Sequence, residues 1–329
     1  MKEEDIRNRE AFNHYLELVR NDVNDYFCVD NFIKINCPAC DGAKFTEAFT
    51  KGIFTYVLCS QCGTLFVNPR PPFKILNQFY SESPSTKYWI EYFFKPVMEA
   101  RRDKIFKPRA EQISQKFPEF KNSRIGDIGA GFGLFLEELR KIWDNAEYVA
   151  IEPSIEMAKI CLDKGFQVIQ DMLEDINGRD EEFDLLTSFE LFEHLYNPDN
   201  FLKKANKLLK KDGYFLMTTL NVQGFDIQLL WEKSKSVSPP HHLNFFNPDS
   251  IKYLMERNNF KVINIETPGK LDWNIVEGMV KNENVKIDRF WQLVIEKDEE
   301  TKNQLQQWLV KNNLSSHMMV VAKNFSRKN

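Results

Sequence analysis

Apolar and polar positions along this chain follow two different periods. Residues 1–34 are polar overall, but Phe12, Tyr15, Leu16 and Val19 recur at helical spacing, which predicts a helical lead-in. Phe54–Leu58 reads FTYVL, a run with strong strand character, and Phe45–Phe49 is its candidate hairpin partner. Pro69, Pro71 and Pro72 then break regular structure. Helical spacing returns over residues 86–117, with Tyr88, Trp89, Tyr92 and Phe93 on one side and Arg101, Arg102 and Lys104 after them. This segment reads either as a lid over a pocket or as a packing helix. From about Lys121, short apolar runs alternate with amphipathic segments. Strands are expected at 124–128, 148–151, 165–169, 183–188 and 213–219, and helices at 134–142, 155–164 and 198–209, before a turn at 211–213. A helix at 250–257, a strand at 260–266, a mainly helical stretch at 284–311 and a last strand at 316–323 complete the pattern.

Arg124–Leu139, RIGDIGAGFGLFLEEL, joins the first of the alternating strands to a helix through glycines at 129, 131 and 133. Glycines let the backbone turn sharply and approach a ligand closely. The spacing is G-x-G-x-G, which differs from the dinucleotide fingerprint G-x-G-x-x-G, and no Gly-Lys-Ser/Thr follows to make a P-loop. Glu152 stands at the tip of the next strand. There a carboxylate can accept two hydrogen bonds from a ribose diol, or can face the dipole of the helix that follows.

Six cysteines occur, and four are arranged as Cys37-Pro-Ala-Cys40 and Cys59-Ser-Gln-Cys62 with eighteen residues between the pairs. That fits the C-x2-C-x15–20-C-x2-C spacing of a zinc site. Each pair forms a tight turn that aims two sulfurs at one point. Four thiolates close the shell of a tetrahedral ion, so the zinc would be structural.

Asp127-Ile-Gly-Ala-Gly-Phe-Gly133 resembles the first motif of class I S-adenosylmethionine (SAM)-dependent methyltransferases. Phe183-Asp-Leu-Leu leading to Glu193-His194-Leu195 and Asn197-Pro198 resembles the fourth, and Leu209-Lys-Lys-Asp-Gly-Tyr-Phe215 again looks like that family. Cys59-x-x-Cys62-Gly63, Asn68-Pro-Arg-Pro71 and Phe79-Tyr80 resemble the N-terminal region of bacterial methyltransferases associated with sugars of polysaccharides, glycolipids or antibiotics. The resemblance covers about residues 37–80 and 121–325. It implies an α/β, Rossmann-like, seven-stranded mixed sheet with its last strand antiparallel. The implied order is a helical lead-in at 1–34, a zinc ribbon at 35–72, a helical linker or lid at 73–120 and a SAM-binding domain at 121–329. It also implies cofactor contacts. Asp127, Gly129, Gly131 and Gly133 would lie under methionine and ribose, and Glu152 on the ribose. Asp171 and Met172 would face adenine, and Glu190 would stand where the chain passes the methyl group.

Pro239-Pro-His241-His242 lies in an apparent insertion at 221–247, and its histidines read as a metal site, a base or a structural cap. Adjacent histidines diverge, so both rarely hold one metal. His194, His241 and His242 are the candidate bases for a methyl acceptor, because histidine titrates near neutral pH. The acceptor expected is a small molecule, and the N-terminal resemblance implies a nucleotide sugar or glycan precursor.

Composition adds exclusions. Lys and Arg total 44 against 48 Asp and Glu, a net charge of -4, which argues against a broad nucleic-acid surface. The ribbon carries only Lys44 and Lys51 against Asp41 and Glu47, which suits phosphate poorly. MKEEDIRNRE is too charged for a secretory signal, and no apolar run reaches membrane-spanning length, so a cytoplasmic enzyme is expected. The competing reading is a zinc-ribbon adaptor whose α/β domain no longer catalyses.

Overall fold

A computed structural model describes residues 8–325; the first seven residues of the charged N-terminal stretch and the last four of the chain lie outside them. Two sheets organise the fold. The strands, in chain order, are β1 Phe45–Lys51, β2 Phe54–Cys59, β3 Leu65–Val67, β4 Arg124–Ile128, β5 Glu147–Ile151 and β6 Gln167–Ile169. They continue with β7 Phe183–Phe189, β8 Leu209–Leu220, β9 Asn244–Phe245, β10 Phe260–Glu266 and β11 His317–Asn324.

The larger sheet has seven strands in the order β10-β11-β8-β7-β4-β5-β6. Strands β4 to β8 pair in parallel, while β11 runs antiparallel to both β8 and β10. This is the mixed seven-stranded, Rossmann-like arrangement expected. Burial on both faces explains the near-continuous apolar strands. The helix Pro198–Leu208 buries Pro198, Phe201, Leu202, Ala205 and Leu208, one stripe at helical spacing. Ser154 and Asn197 cap two of the crossover helices by accepting from the amides of Met157 and Asn200.

Two local expectations are corrected. The helix expected across residues 86–117 is interrupted: Pro84–Tyr88 and Lys107–Lys116 are α-helical, but Trp89–Phe94 and Arg102–Phe106 are wider π-type turns. Pro96 and Pro108 lack an amide hydrogen and crowd the carbonyl four residues earlier, so a regular α-helix cannot run through them. The turn expected at 211–213 is absorbed into a longer β8, which already pairs with β7 at Leu209; Asp212 takes a positive φ there.

The smaller sheet has the order β1-β2-β3-β9, so its last strand comes from the insertion and not from the ribbon. Strand β9 is antiparallel to β3, with Leu65 opposite Phe245 and Phe66 opposite Asn244. Arg70 is buried at this junction. It donates to the carbonyl oxygens of Val67 (3.3 Å) and Tyr196 (2.9 Å) and to Asn244 Oδ1 (3.1 Å). Asn247 Nδ2 donates to the Cys62 carbonyl at 2.8 Å. These satisfied bonds allow a guanidinium to sit in an apolar interior.

The lead-in helix Arg9–Tyr26 packs on the interrupted segment, with ring centroids 4.8 Å apart for Tyr15 and Trp89 and 5.4 Å for Phe12 and Phe93. That segment in turn lies over the glycine turn. Phe94 stacks on Phe132 at 5.1 Å, and Lys95 pairs with Glu156 at 2.8 Å. No helix among the described residues is long and apolar enough to cross a membrane.

Candidate functional site

The glycine turn after β4 has Gly129, Gly131 and Gly133 at φ 71°, 54° and 68°, the left-handed region that side chains disfavour. At Gly131 no atom comes within 4 Å of the place a Cβ would take, so the backbone faces open space there. Two acids flank it. Glu152 is buried at the end of β5; its Oε2 accepts from the Gly131 amide (2.8 Å) and its Oε1 from the Ser154 amide (2.9 Å). Each oxygen keeps a second lone pair for a ligand. Asp127 is buried beneath the turn. Burial pushes its carboxyl up to about 7, against the opposing influence of the Thr187 hydroxyl (2.7 Å) and Arg109. A buried acid in that state is stabilised by a cationic ligand. SAM carries both an ammonium and a sulfonium, so the cradle fits it. Asp171 and Met172 lie exposed just beyond β6, on the same sheet edge.

Replacing Glu152 with Ala is expected to weaken SAM binding by roughly 1.5–3 kcal/mol per charge-assisted bond lost. Two backbone amides also lose their acceptor in that variant; Glu152→Gln keeps an acceptor for one of them and turns a donor NH2 toward the other, so the two variants are read together. Calorimetry on both variants checks this; unchanged affinity in both removes Glu152 from the site.

Glu190 leaves β7 with a positive φ of 54°. Its Oε1 accepts from the Thr218 hydroxyl at 2.7 Å and lies 3.2 Å from His317 Nε2 and 3.5 Å from Arg109 Nη2. Burial alone would push its carboxyl up, but His317 and Arg109 outweigh that and hold it below its usual range. The Arg109 guanidinium lies 4.4 Å over the Phe189 ring, and its Nη1 is buried without a hydrogen-bond partner. Sequence reasoning missed both Arg109 and His317. One lies in the helix Lys107–Lys116 and the other opens the apolar strand β11, and no local pattern marks either.

The chain after β7 next brings the histidines together. Leu191 packs so closely on the glycine turn that a Cβ at Gly129 would stand 3.0 Å from it. Three residues further on, His194 ends a short 3-10 turn, Phe192–His194. His241 and His242 lie on the loop before β9. The His194 ring centroid is 4.6 Å from that of His242 and 6.4 Å from that of His241. All three predicted histidines therefore share one cluster, although the adjacent pair does diverge. His241 is buried among Phe79 (5.1 Å), Tyr80 (5.4 Å) and Tyr15 (5.8 Å), and its Nε2 has no hydrogen-bond partner. Burial and the neighbouring His242 hold it down at about 3, and burial likewise holds His194 well below the ordinary histidine value. The two rings are neutral imidazoles at physiological pH.

Backbone contacts fix this cluster. Tyr56 donates to the His242 carbonyl (2.7 Å), Tyr80 to the His241 carbonyl (3.1 Å), and the Leu243 amide to the Glu193 carbonyl (2.9 Å). Tyr56 belongs to β2 and β9 follows the histidines directly, so the ribbon sheet holds the loop in place. No local pattern marks that link, because 186 positions separate Tyr56 from His242.

The four arranged cysteines converge as expected. Their sulfurs all lie within 4.8 Å of one another, with 3.5 Å between Cys37 and Cys62 and between Cys40 and Cys59. Each pair sits on a tight turn, closed by the Asp41 amide on the Cys37 carbonyl (2.9 Å) and the Gly63 amide on the Cys59 carbonyl (3.0 Å). Four sulfurs at such separations suit a single tetrahedral zinc, which would leave no open position.

The fold and the glycine cradle together define a methyltransferase domain. The chain belongs to the methyltransferase-domain family, whose match runs over residues 98–265. It is similar to a protein of Bradyrhizobium diazoefficiens named as a ubiquinone biosynthesis O-methyltransferase, with 31% identity over 150 residues, 40% of this chain and 56% of that one. A protein of the same name from Pelagibacter ubique is 32% identical over 148 residues, 42% of this chain and 58% of that one. The chain thus spans little more than half the length of these two relatives. Among solved structures, a SAM-dependent methyltransferase from Archaeoglobus fulgidus aligns with a TM-score of 0.48 at 20% identity, over 70% of this chain and 99% of that one.

Proposed function

We propose that this chain is a SAM-dependent methyltransferase that methylates a hydroxyl of a ring-bearing small molecule. The observation that carries the reading is one loop, Glu190–His194, that packs against the glycine cradle at Leu191 and enters the histidine cluster at His194. Bound SAM would supply an electrophilic methyl on sulfur. Asp127 would face its ammonium, Glu152 its ribose, and Asp171 and Met172 its adenine, with the three glycines beneath and Glu190 beside the methyl. His241 has an unpartnered ring nitrogen and aromatic walls from Tyr15, Phe79 and Tyr80, an environment that suits a flat acceptor ring and its hydroxyl. The hydroxyl oxygen gains positive charge as its bond to carbon forms. A neutral imidazole can then take the proton, even one held as low as His241. Residues 35–72 act in this reading as a zinc-stabilised support and residues 73–120 as the lid.

Oxygen as the nucleophile is favoured by the O-methyltransferase names of the two curated relatives. The sugar-linked acceptor implied by the N-terminal resemblance enters the same test. The purified chain, given isotopically labelled SAM, is screened against phenols, polyhydroxylated rings and nucleotide sugars, with products read by mass spectrometry. The expected product is a methyl ether. A chain that fails to bind SAM in calorimetry is the non-catalytic adaptor, and a methyl group found on nitrogen or carbon overturns the hydroxyl assignment.

A further inference from the structure

Two histidines of the cluster, with Glu193, form a donor set that the proton transfer to His241 does not use. Glu193, His194 and His242 each present one ligand atom to a common region, with all three atoms within 4.8 Å of one another. Two donors at about 2.1 Å from one ion can be at most about 4.2 Å apart, so only a small closing movement separates this arrangement from a coordination shell.

Hydrogen bonds already set the donor atoms. His242 Nδ1 lies 2.5 Å from the Ser236 carbonyl oxygen, which can only accept. That nitrogen therefore carries the proton, and Nε2 carries the lone pair. Tyr80 gives its hydroxyl proton to the His241 carbonyl and so offers an acceptor to His194 Nδ1, 3.4 Å away. His194 thereby also keeps its lone pair on Nε2. The Thr219 hydroxyl donates to Glu193 Oε2 at 2.9 Å, which leaves Oε1 for another partner. Such outer bonds, from each ligand's far side to a fixed group, are how metal-binding histidines and carboxylates are held in the right tautomer and orientation.

The carboxylate also lacks a cation. Glu193 is only 2% exposed, and among the described residues it forms no ion pair. A buried carboxylate is costly unless it is paired or coordinates a metal. Its neighbour Glu190, by contrast, has Arg109 and His317.

We infer that Glu193, His194 and His242 bind a divalent transition-metal ion with open coordination positions. Two imidazoles and one carboxylate suit such ions, in contrast to the soft, closed thiolate set of the ribbon. The use of this ion rests on the methyl-transfer reading. A hydroxyl bound at an open position loses its proton more readily. His241, outside the donor set, takes that proton while the oxygen–methyl bond forms and the sulfur–methyl bond breaks.

The test measures metal alone. The full chain is washed with a chelator until elemental analysis finds only the ribbon zinc, then equilibrated with Co2+ in the absence of SAM and acceptor. One cobalt per chain is expected, with the weak visible bands of nitrogen and oxygen ligands and without intense thiolate charge-transfer absorption. His242→Ala and the conservative Glu193→Gln should each weaken that binding at least tenfold while zinc content and the thermal melt stay as in the wild type. The inference is overturned if the wild type takes up no cobalt beyond the cysteine set, if the bound cobalt shows a thiolate spectrum, or if both folded variants bind it as the wild type does. Because no methyl transfer is measured, a chain that binds cobalt here but methylates nothing in the acceptor screen would refute the function reading and leave the metal site standing.

Discussion

Replacing His241 with Ala is expected to lower turnover about 10²–10⁴-fold, the usual consequence of losing a general base. Affinity for SAM should stay within about twofold, because the His241 ring packs on Tyr15, Phe79 and Tyr80, none of which belongs to the glycine turn. Burial and His242 keep the wild-type ring neutral throughout the working pH range, so its own titration should not produce an acidic limb near pH 6. His241→Gln keeps a polar atom in the same pocket and should retain more binding of the acceptor than the Ala variant, though little of its turnover. Calorimetry with SAM and steady-state kinetics on the identified acceptor check both. Near-native turnover in the Ala variant would exclude His241 as the proton acceptor. Loss of SAM affinity along with turnover would make it a packing residue, which its contacts with Phe79 and Tyr15 make a serious alternative.

The second large effect concerns the cysteines. Metal binding and folding of such a small unit are coupled, because four thiolates converge only in the folded state. Cys59→Ser should therefore remove the zinc and lower stability by several kcal/mol, with the loss read as zinc content and as a shift of the denaturation midpoint. The damage should also spread. Cys59 ends β2, β2 carries Tyr56, and Tyr56 holds the His242 carbonyl. Turnover should fall beyond what the unfolded fraction accounts for, while SAM binding by the folded fraction persists. A variant that loses zinc yet keeps full stability would show that the cysteines are not a folding site.

Much of this was legible from local pattern. The alternation of strands and helices followed from apolar runs between amphipathic segments, the seven-stranded mixed sheet from the family resemblance, and the cysteine cluster from spacing alone. The glycine turn and Glu152 were legible because one strand end and the next lie side by side whenever strands are parallel neighbours. What escaped was everything decided by distant pairing. Arg109 reaches Glu190 across 81 positions, and His317 reaches the same oxygen from the last strand. Neither residue differs in its surroundings along the chain from an ordinary helix arginine or strand histidine. Glu193 was read as part of a motif string, and only the structure brings His242 next to it. Aromatic periodicity over residues 86–117 predicts one helix, and Pro96 and Pro108 interrupt it.

The strand exchange at β9 has a consequence for how such a protein can change over generations. A ribbon that closed its own sheet could be gained, lost or traded between relatives as a cassette. This one cannot, because its outer edge is built by residues some 180 positions away, and Arg70 is shared between the two parts. Substitutions at Leu65, Phe66 or Arg70 are tolerable only with matching changes at Phe245, Asn244 or the segment near Tyr196. The two regions should therefore covary in descent, and a chimera that joins the ribbon of one relative to the sheet of another should fail at that seam before it fails anywhere else.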